Sequence, residues 1–579
     1  MALSLTGRRL LLLHSLARRA LASAPNTSAT ASAGASGQQP LPPHPLPTPP
    51  ATEHAHAWAS RAGAAAALLA SLGAGAMGAA HALSPAPGAE EGGGPTGRAD
   101  GAGLPTIAKA EVAKHTNAES GIWVTYQDGV YDISEFVSMH PGGSKILLAA
   151  GGSIAPYWGM YAVHKTDATR ELLEGYRIGN LPEHEVEADV VTDVYANEPT
   201  RSTALLVRTQ TPFNAETPAA VLQEHDITPV ELHFKRHHLP VPIIKDEAYE
   251  LELLGDLAER TLTLADLKAL PKHSVTMTLQ CSGNRRTEMV EAQRPGLPDV
   301  RGLPWEAGAI STATWTGAKL RDVLLAAGLR EDDPKGPKHI TFVGLDVDIT
   351  GERYEASIPI QKAMSAYGDV ILAYEMNGEP LPRDHGYPIR AVVPGTTAAR
   401  SVKWVYKIVA SDDECDGFWQ QKDYKAFCPS QDPNTVDWES APALQEFPVT
   451  SFMTSPENGQ VIAANQREIE VKGIAVAGGG RGIARVDVSV DGGNTWQTAT
   501  LAPDTQAPGR AWAWRKFTAT LPVAPGVGEV EVVCKAVDDS YNSQPDRMDA
   551  IYNFRGIVVN GWQRLRLPLQ SPARGADRK

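Results

Sequence analysis

GIWVTYQDGVYDISEFVSMHPGGSKILLAAGG, residues 121–152, narrows the possible folds more than any other stretch of the chain. β-Favouring residues alternate on both sides of a QDG turn, which predicts a hairpin. A serine-started helical patch follows and ends at His140. There Pro141, Gly142 and Gly143 stop the helix and let the backbone approach something flat. His164 lies 24 residues further on, in YAVHKTDATRELLEGYRIGNL. Isolated histidines are more often core or surface residues than ligands. A pair in one register with the HPGG turn and the VYDIS strand points to a shared ligand.

At 579 residues the chain is too long for a single core, and three or four domains are expected. A net charge of −14 excludes the basic field that a nucleic-acid binder needs. The four cysteines, Cys281, Cys415, Cys428 and Cys534, form no CxxC pair and no disulfide framework. Each is judged alone, and three are expected to be buried fillers.

Residues 1–104 do not read as a folded domain. No Asp or Glu occurs in 1–52, while Arg8, Arg9, Arg18 and Arg19 flank LLLLHSLA, the pattern of a mitochondrial transit peptide. Pro/Ser/Ala low complexity follows, and then AGAAAALLASLGAGAMGAA at 62–80. That segment is uncharged but weakly apolar, which suits a cleaved sorting signal to the intermembrane space better than a stable membrane anchor.

The 105–182 region resembles the cytochrome b5 family. The resemblance implies a small α+β domain in which His140 and His164 are the two axial ligands of a b-type haem iron. With both axial positions filled by protein, the module is an electron-transfer wire rather than an oxygen-activating site. Residues 183–210 open with six acidic residues and no Lys or Arg over 183–200, which predicts a flexible connector. Its reach is on the order of 30 Å.

Charge then reverses in HFKRHHLPVP, residues 233–242. Its three histidines, His233, His237 and His238, lack the further ligand that a zinc signature needs, and a basic edge facing an anion is the better reading. In TLQCSGNRRTEM, residues 278–289, a thiol ends a β-like run beside Arg285 and Arg286. Cations lower a thiol's pKa towards the metal-ligating form. Together with GAISTATWTGA, PLPRDHGYPIRAVVPG, VKWV and KDYKAF, these motifs resemble, in order, the sulfite oxidase family, over roughly 106–565.

That resemblance implies a mixed α+β molybdopterin domain at 211–440, in which Cys281 supplies a thiolate to molybdenum. It implies an anion pocket of Arg236 and Arg286, with Trp305 as a wall, Arg555 reaching in from the C-terminal region and Tyr424 as the active-site tyrosine. Arg285 is the neighbouring cation that could instead serve structure. His233, Phe234, Lys235, Arg236 and His237 are implied as a cofactor-lining run, with Asp346, His385, Arg390, Ser401, Val402 and Lys403 as further contacts. The family often has Asn where this chain has His237, which puts the geometry of that contact in question.

From 441 to 565, short alternating strands punctuated by Asp, Gly and Asn predict an Ig-like β-sandwich, followed by a disordered tail at 566–579. AGGGRG joins strand to strand, so it is not a phosphate loop. The whole is expected to be a multidomain α+β protein. The family implies a homodimer through the sandwich, sulfite oxidised to sulfate, and cytochrome c as electron acceptor. Two alternatives stand beside this. One is a nitrate reductase-like molybdenum–haem enzyme, which carries its haem after the dimer domain. The other is a non-catalytic haem carrier with an adhesive sandwich.

Overall fold

The computed structural model describes residues 103–570, apart from 141–142, 162–163, 165, 187–192, 332 and 349. The transit and sorting segments expected before residue 103 lie outside the described residues. Among the described residues no helix is long and apolar enough to cross a membrane.

The hairpin forms as its turn residues require. Strands Gly121–Tyr126 and Gly129–Asp132 pair antiparallel with Tyr126 opposite Gly129, leaving Gln127 and Asp128 as a two-residue turn. Gln127 takes a φ of 53°, and a Cβ at Gly129 would lie 2.2 Å from the Tyr131 hydroxyl. Thr116–Asn117 and Arg177–Asn180 complete a four-stranded sheet, packed over Ile122, Val124, Ile133, Ile154 and Leu173. The helical patch before His140 is a short 3₁₀ turn, Val137–Met139, with His140 at its C-cap. Pro141 cannot continue a helix, so the turn ends there.

The connector between domains is shorter than its acidic composition suggests. Tyr195 is buried and donates its hydroxyl to the Met160 carbonyl at 2.7 Å. Glu198 pairs with Arg201, and Leu206–Thr209 is already a strand, in a three-stranded sheet with Asn214–Glu216 and Lys235–Arg236. The second half of 183–210 is therefore folded onto the body. Glu198, read as a solvated charge, is instead paired with Arg201 three residues on and accepts the Val241 N–H.

Two five-stranded sheets build the next domain. One holds Lys272–Gln280, Ile310–Lys319, Ile371–Met376, Glu379–Pro380 and Arg390–Val392. The other runs Arg353–Pro359, His339–Val347, Val405–Ser411, Glu250–Gly255 and Arg260–Thr263, with a parallel step between Val405–Ser411 and Glu250–Gly255. Short helices such as Leu320–Ala326 cover them, and Leu251, Leu320, Phe342, Ile358 and Ile408 share their core.

The C-terminal region is a sandwich of a four-stranded and a five-stranded sheet. Val471, Val486, Phe517, Val532 and Leu567 fill the space between them. Its last strand, Gln563–Gln570, continues past the expected boundary at 565, because Glu529–Asp538 offers it a pairing edge out to Pro568. Cys415 and Cys534 are buried as expected, but Cys428 is exposed beside Pro429 in a loop.

Candidate active site

Strand Lys272–Gln280 is zipped to Ile310–Lys319 along its whole length and delivers Cys281 to the sheet end. The chain then turns through Gly283 and a left-handed Arg285, at φ 66°, into helix Arg286–Glu291. This turn sends two consecutive arginines in different directions. Arg285 is fully buried, pairs with Glu288, and donates to the Ser451 carbonyl (3.2 Å) and the Gly561 carbonyl (2.9 Å), stitching the domain to the sandwich.

Arg286 is held only by neutral groups among the described residues. Its Nε donates to the Gly556 carbonyl (3.0 Å) and its Nη1 to the Leu303 carbonyl (2.7 Å). Three glycines make room for it: a Cβ at Gly283, Gly302 or Gly556 would come within 2.3, 2.7 or 2.7 Å of its side chain. Burial lowers its pKa to about 10, opposed by the Cys281 thiol and reinforced by Arg236, so it is a cation at neutral pH beside that thiol.

Cys281 lines a cleft. Of the expected residues, His233, Phe234, Arg236, Asp346, His385, Arg390, Ser401, Val402, Lys403 and Tyr424 line it as well. Arg236 donates to Asn214 Oδ1 at 3.3 Å. Arg555 reaches in within the same chain, donates to the Asp423 carbonyl at 3.1 Å and pairs with the Asp423 carboxylate. Burial lowers the Arg555 pKa to about 9, with Arg286, Arg301 and Arg236 adding like-charge repulsion. Tyr424 shares a hydrogen bond with His238 Nε2 at 2.9 Å, and burial pushes its phenol far up, so it keeps its proton.

Arg286 and Arg555 lie outside the cleft lining, and so do three further expected residues. Trp305 is fully buried in a cluster with Phe234 and Cys281, behind the cleft rather than forming its wall. Lys235 turns its ammonium to the Val230 and His233 carbonyls (3.1 and 2.9 Å) and to His385 Nε2 (2.8 Å). It supports His385 instead of facing the cleft. His237 lies between Lys403, at 2.5 Å, and Asp384, at 3.2 Å. His238, Tyr354 and Asp384 line the cleft without having been singled out as cofactor contacts. For His238 the signal was present in the HH pair and read only against zinc. Asp384 stood next to His385 in PRDHGY, but nothing local marked it.

The cleft fits a polar cofactor. His233 Nε2, Asp346 Oδ1 and Arg390 Nε are buried in its lining with no hydrogen-bond partner. Leaving such atoms unpaired costs about 1–3 kcal/mol each, so a ligand with donors, acceptors and negative charge completes the site. Burial holds His233 and His385 well below the usual imidazole range and hence neutral, and raises Asp346 to about 7 against the pull of Lys403. The haem residues fit their group too. The His140 and His164 rings lie with centroids 6.1 Å apart and planes within 16° of parallel. Those two imidazoles would hold a haem iron between them, each through a ring nitrogen. Burial lowers the His164 pKa to about 4, which keeps its lone pair available. Met160, just ahead of His164, packs in the same hydrophobic cluster as Tyr424.

These features define a molybdopterin oxidoreductase with a cytochrome b5-like haem module. Residues 238–419 match the oxidoreductase molybdopterin binding domain, 441–569 the Mo-co oxidoreductase dimerisation domain, and 108–182 the cytochrome b5-like heme/steroid binding domain. A Gallus gallus protein named sulfite oxidase is 50% identical over 464 residues, covering 79% of this chain and 99% of its own. A Homo sapiens protein named sulfite oxidase, mitochondrial, is 49% identical over 462 residues, with coverages of 79% and 83%. Among solved structures, the sulfane dehydrogenase SoxCD from Paracoccus pantotrophus superposes with a TM-score of 0.51 at 28% identity, covering 64% of this chain and 87% of its own. The chain belongs to the sulfite oxidase family.

Proposed function

We propose that the protein oxidises sulfite to sulfate and passes the electrons singly through its haem to cytochrome c in the mitochondrial intermembrane space. The observation that carries the reading is the cleft lined by Cys281, Arg236 and Tyr424 together with the partnerless buried polar atoms of His233, Asp346 and Arg390. When bound, the molybdenum cofactor supplies two-electron oxygen-atom transfer, and the haem accepts electrons one at a time.

The protein's own residues do the rest. Cys281, at the rim and beside Arg286, offers a thiolate to the metal. Arg236 and Arg286 present forked donors to a compact oxyanion in a site that excludes most water, where fixed charges act strongly. Tyr424, protonated and oriented by His238, offers a hydrogen bond to an oxygen in that site. Arg390 and Lys403 are placed for the negative end of the pterin, and Asp346 and His233 for its polar edges. The names of the relatives support a mitochondrial location. The dimerisation-domain match supports a homodimer.

The experiment is a steady-state assay with sulfite and oxidised cytochrome c, run beside molybdenum and haem determinations. Loaded protein should reduce two cytochrome c per sulfite consumed. Loaded protein that leaves sulfite untouched would refute the reading.

A further inference from the structure

Behind Arg236 runs a chain of charged and polar groups that begins at the connector and ends at the cleft-lining Asp384 and Lys403. Arg201, at the end of the connector, forks onto Asp384: its Nε lies 3.1 Å from both carboxylate oxygens and its Nη2 2.8 Å from Oδ1. Glu198 pairs with the same guanidinium and accepts the Val241 N–H at 2.8 Å, which fixes the fork from the far side. Asp384 Oδ1 is also 3.2 Å from His237 Nε2. On the other ring nitrogen, Lys403 Nζ approaches Nδ1 at 2.5 Å.

Against its burial, bonds to His237 and Arg201 hold the Asp384 carboxyl well below its ordinary range, and a carboxylate can only accept, so the proton resides on Nε2, Nε2–H donates to Asp384, and Nδ1 is left to accept from Lys403. The network thus selects one tautomer. Lys403 spends its other donors on the Arg236 carbonyl (3.0 Å) and, more distantly, the Asp384 carbonyl (3.4 Å). The peptide between Arg236 and His237 is therefore gripped at both ends: Lys403 holds its oxygen, and Asn214 Oδ1 accepts its N–H at 2.9 Å. Asn214 Oδ1 also accepts from the Arg236 guanidinium. Asp384 and His237 keep 7% and 1% of their surface, so water cannot replace the lost partners if the chain is cut.

We propose that Arg201 and Asp384 are positioning residues for the anion-binding Arg236, acting through the His237 tautomer and Lys403. His237, where relatives often have Asn, is then a link in this relay and not a cofactor contact. The inference rests on the sulfite-oxidising reading for the identity of the anion, but not for the geometry.

The test uses the full-length holoprotein with Arg201→Lys, Asp384→Asn and His237→Asn. It measures KM and kcat for sulfite, sulfate affinity by calorimetry, and molybdopterin, molybdenum and haem content. Lysine cannot reproduce the fork, so Arg201→Lys should raise KM and weaken sulfate binding at least ~10-fold, while kcat changes less than about threefold. Cofactor content and haem spectrum should stay at parental values. His237→Asn, which removes the imidazole bridge between Lys403 and Asp384, should move KM in the same direction, and it carries the test if either charge variant fails to fold. Parental KM and sulfate affinity in folded, loaded variants would overturn the proposal. So would loss of cofactor with KM unchanged in the loaded fraction, since that is the signature of a merely structural role. If the parent chain itself ignores sulfite, the functional reading fails and the relay is judged on sulfate affinity alone.

Discussion

The haem site and the molybdenum cleft are built by opposite strategies. The haem site takes both of its ligands, His140 and His164, from one small module whose sheet spans 116–180. The cleft takes Arg236, Cys281, Asp346, Lys403 and Tyr424 from five separate segments, and Arg555, from the connection between the sandwich's last two long strands, bonds to Asp423 next to Tyr424. The haem pair stands apart by a single ring spacing. The cleft is a balance of charges in which each buried cation depends on partners far along the chain. One site should survive damage to the other. Within the cleft, damage should spread.

The largest expected effect is also the cleanest separation. Cys281→Ser should lower sulfite turnover by roughly 10³-fold or more while the haem spectrum stays normal, because an alcohol is a poor soft-metal ligand. His164→Ala should do the reverse. It should remove haem and cytochrome c reduction but leave sulfite oxidation by an artificial acceptor that takes electrons directly from the cleft.

Next come the adjacent arginines. Arg285→Met should destabilise the fold by about 3–5 kcal/mol, since it strands Glu288 and three buried acceptors, and denaturant unfolding would read it. Arg286→Met should cost far less stability but abolish tight sulfite binding. Equal effects on stability would show that the turn does not divide their roles.

Arg236→Gln should raise the KM for sulfite by roughly 10–100-fold, the worth of one charged, forked contact, with haem content unchanged. An unaltered KM would remove Arg236 from the anion pocket.

The smallest effect is a pH slope. Burial raises Asp346 to about 7 from its ordinary value near 3.8, so the folded chain binds a proton that the unfolded chain lacks between those values. Stability of the cofactor-free protein should therefore fall as pH rises from about 4 to 7, by on the order of 1 kcal/mol per unit, and level off above. Asp346→Asn should flatten that slope in thermal melts taken across the range. A slope that persists would place the titration elsewhere.

Legibility in the sequence followed the same division. The haem module could be read from one register, QDG turn, VYDIS strand and HPGG stop, because its constraints are local. The cysteine–arginine turn was legible by chemistry, but which arginine served structure was not. That depends on Ser451 and Gly561, more than 150 residues downstream. Lys235 and His237 were placed against the cofactor by their motif, yet they are consumed by His385, Lys403 and Asp384, which no spacing rule brings together. Trp305 was expected as a wall of the anion pocket, and it packs with Cys281 and Phe234. An indole beside a site reads as a wall, and only the packing around Cys281 shows it to be core. The connector was misjudged because charge composition cannot reveal a partner such as Arg201 finds in Asp384.

The most direct measurement of the central claim is an anaerobic absorbance spectrum of molybdenum- and haem-loaded protein before and after sulfite is added. The account predicts that sulfite alone converts the haem band to its reduced form, since substrate site, cleft and haem are joined in one chain. Haem that dithionite reduces but sulfite does not, in protein shown to carry both cofactors, would contradict it.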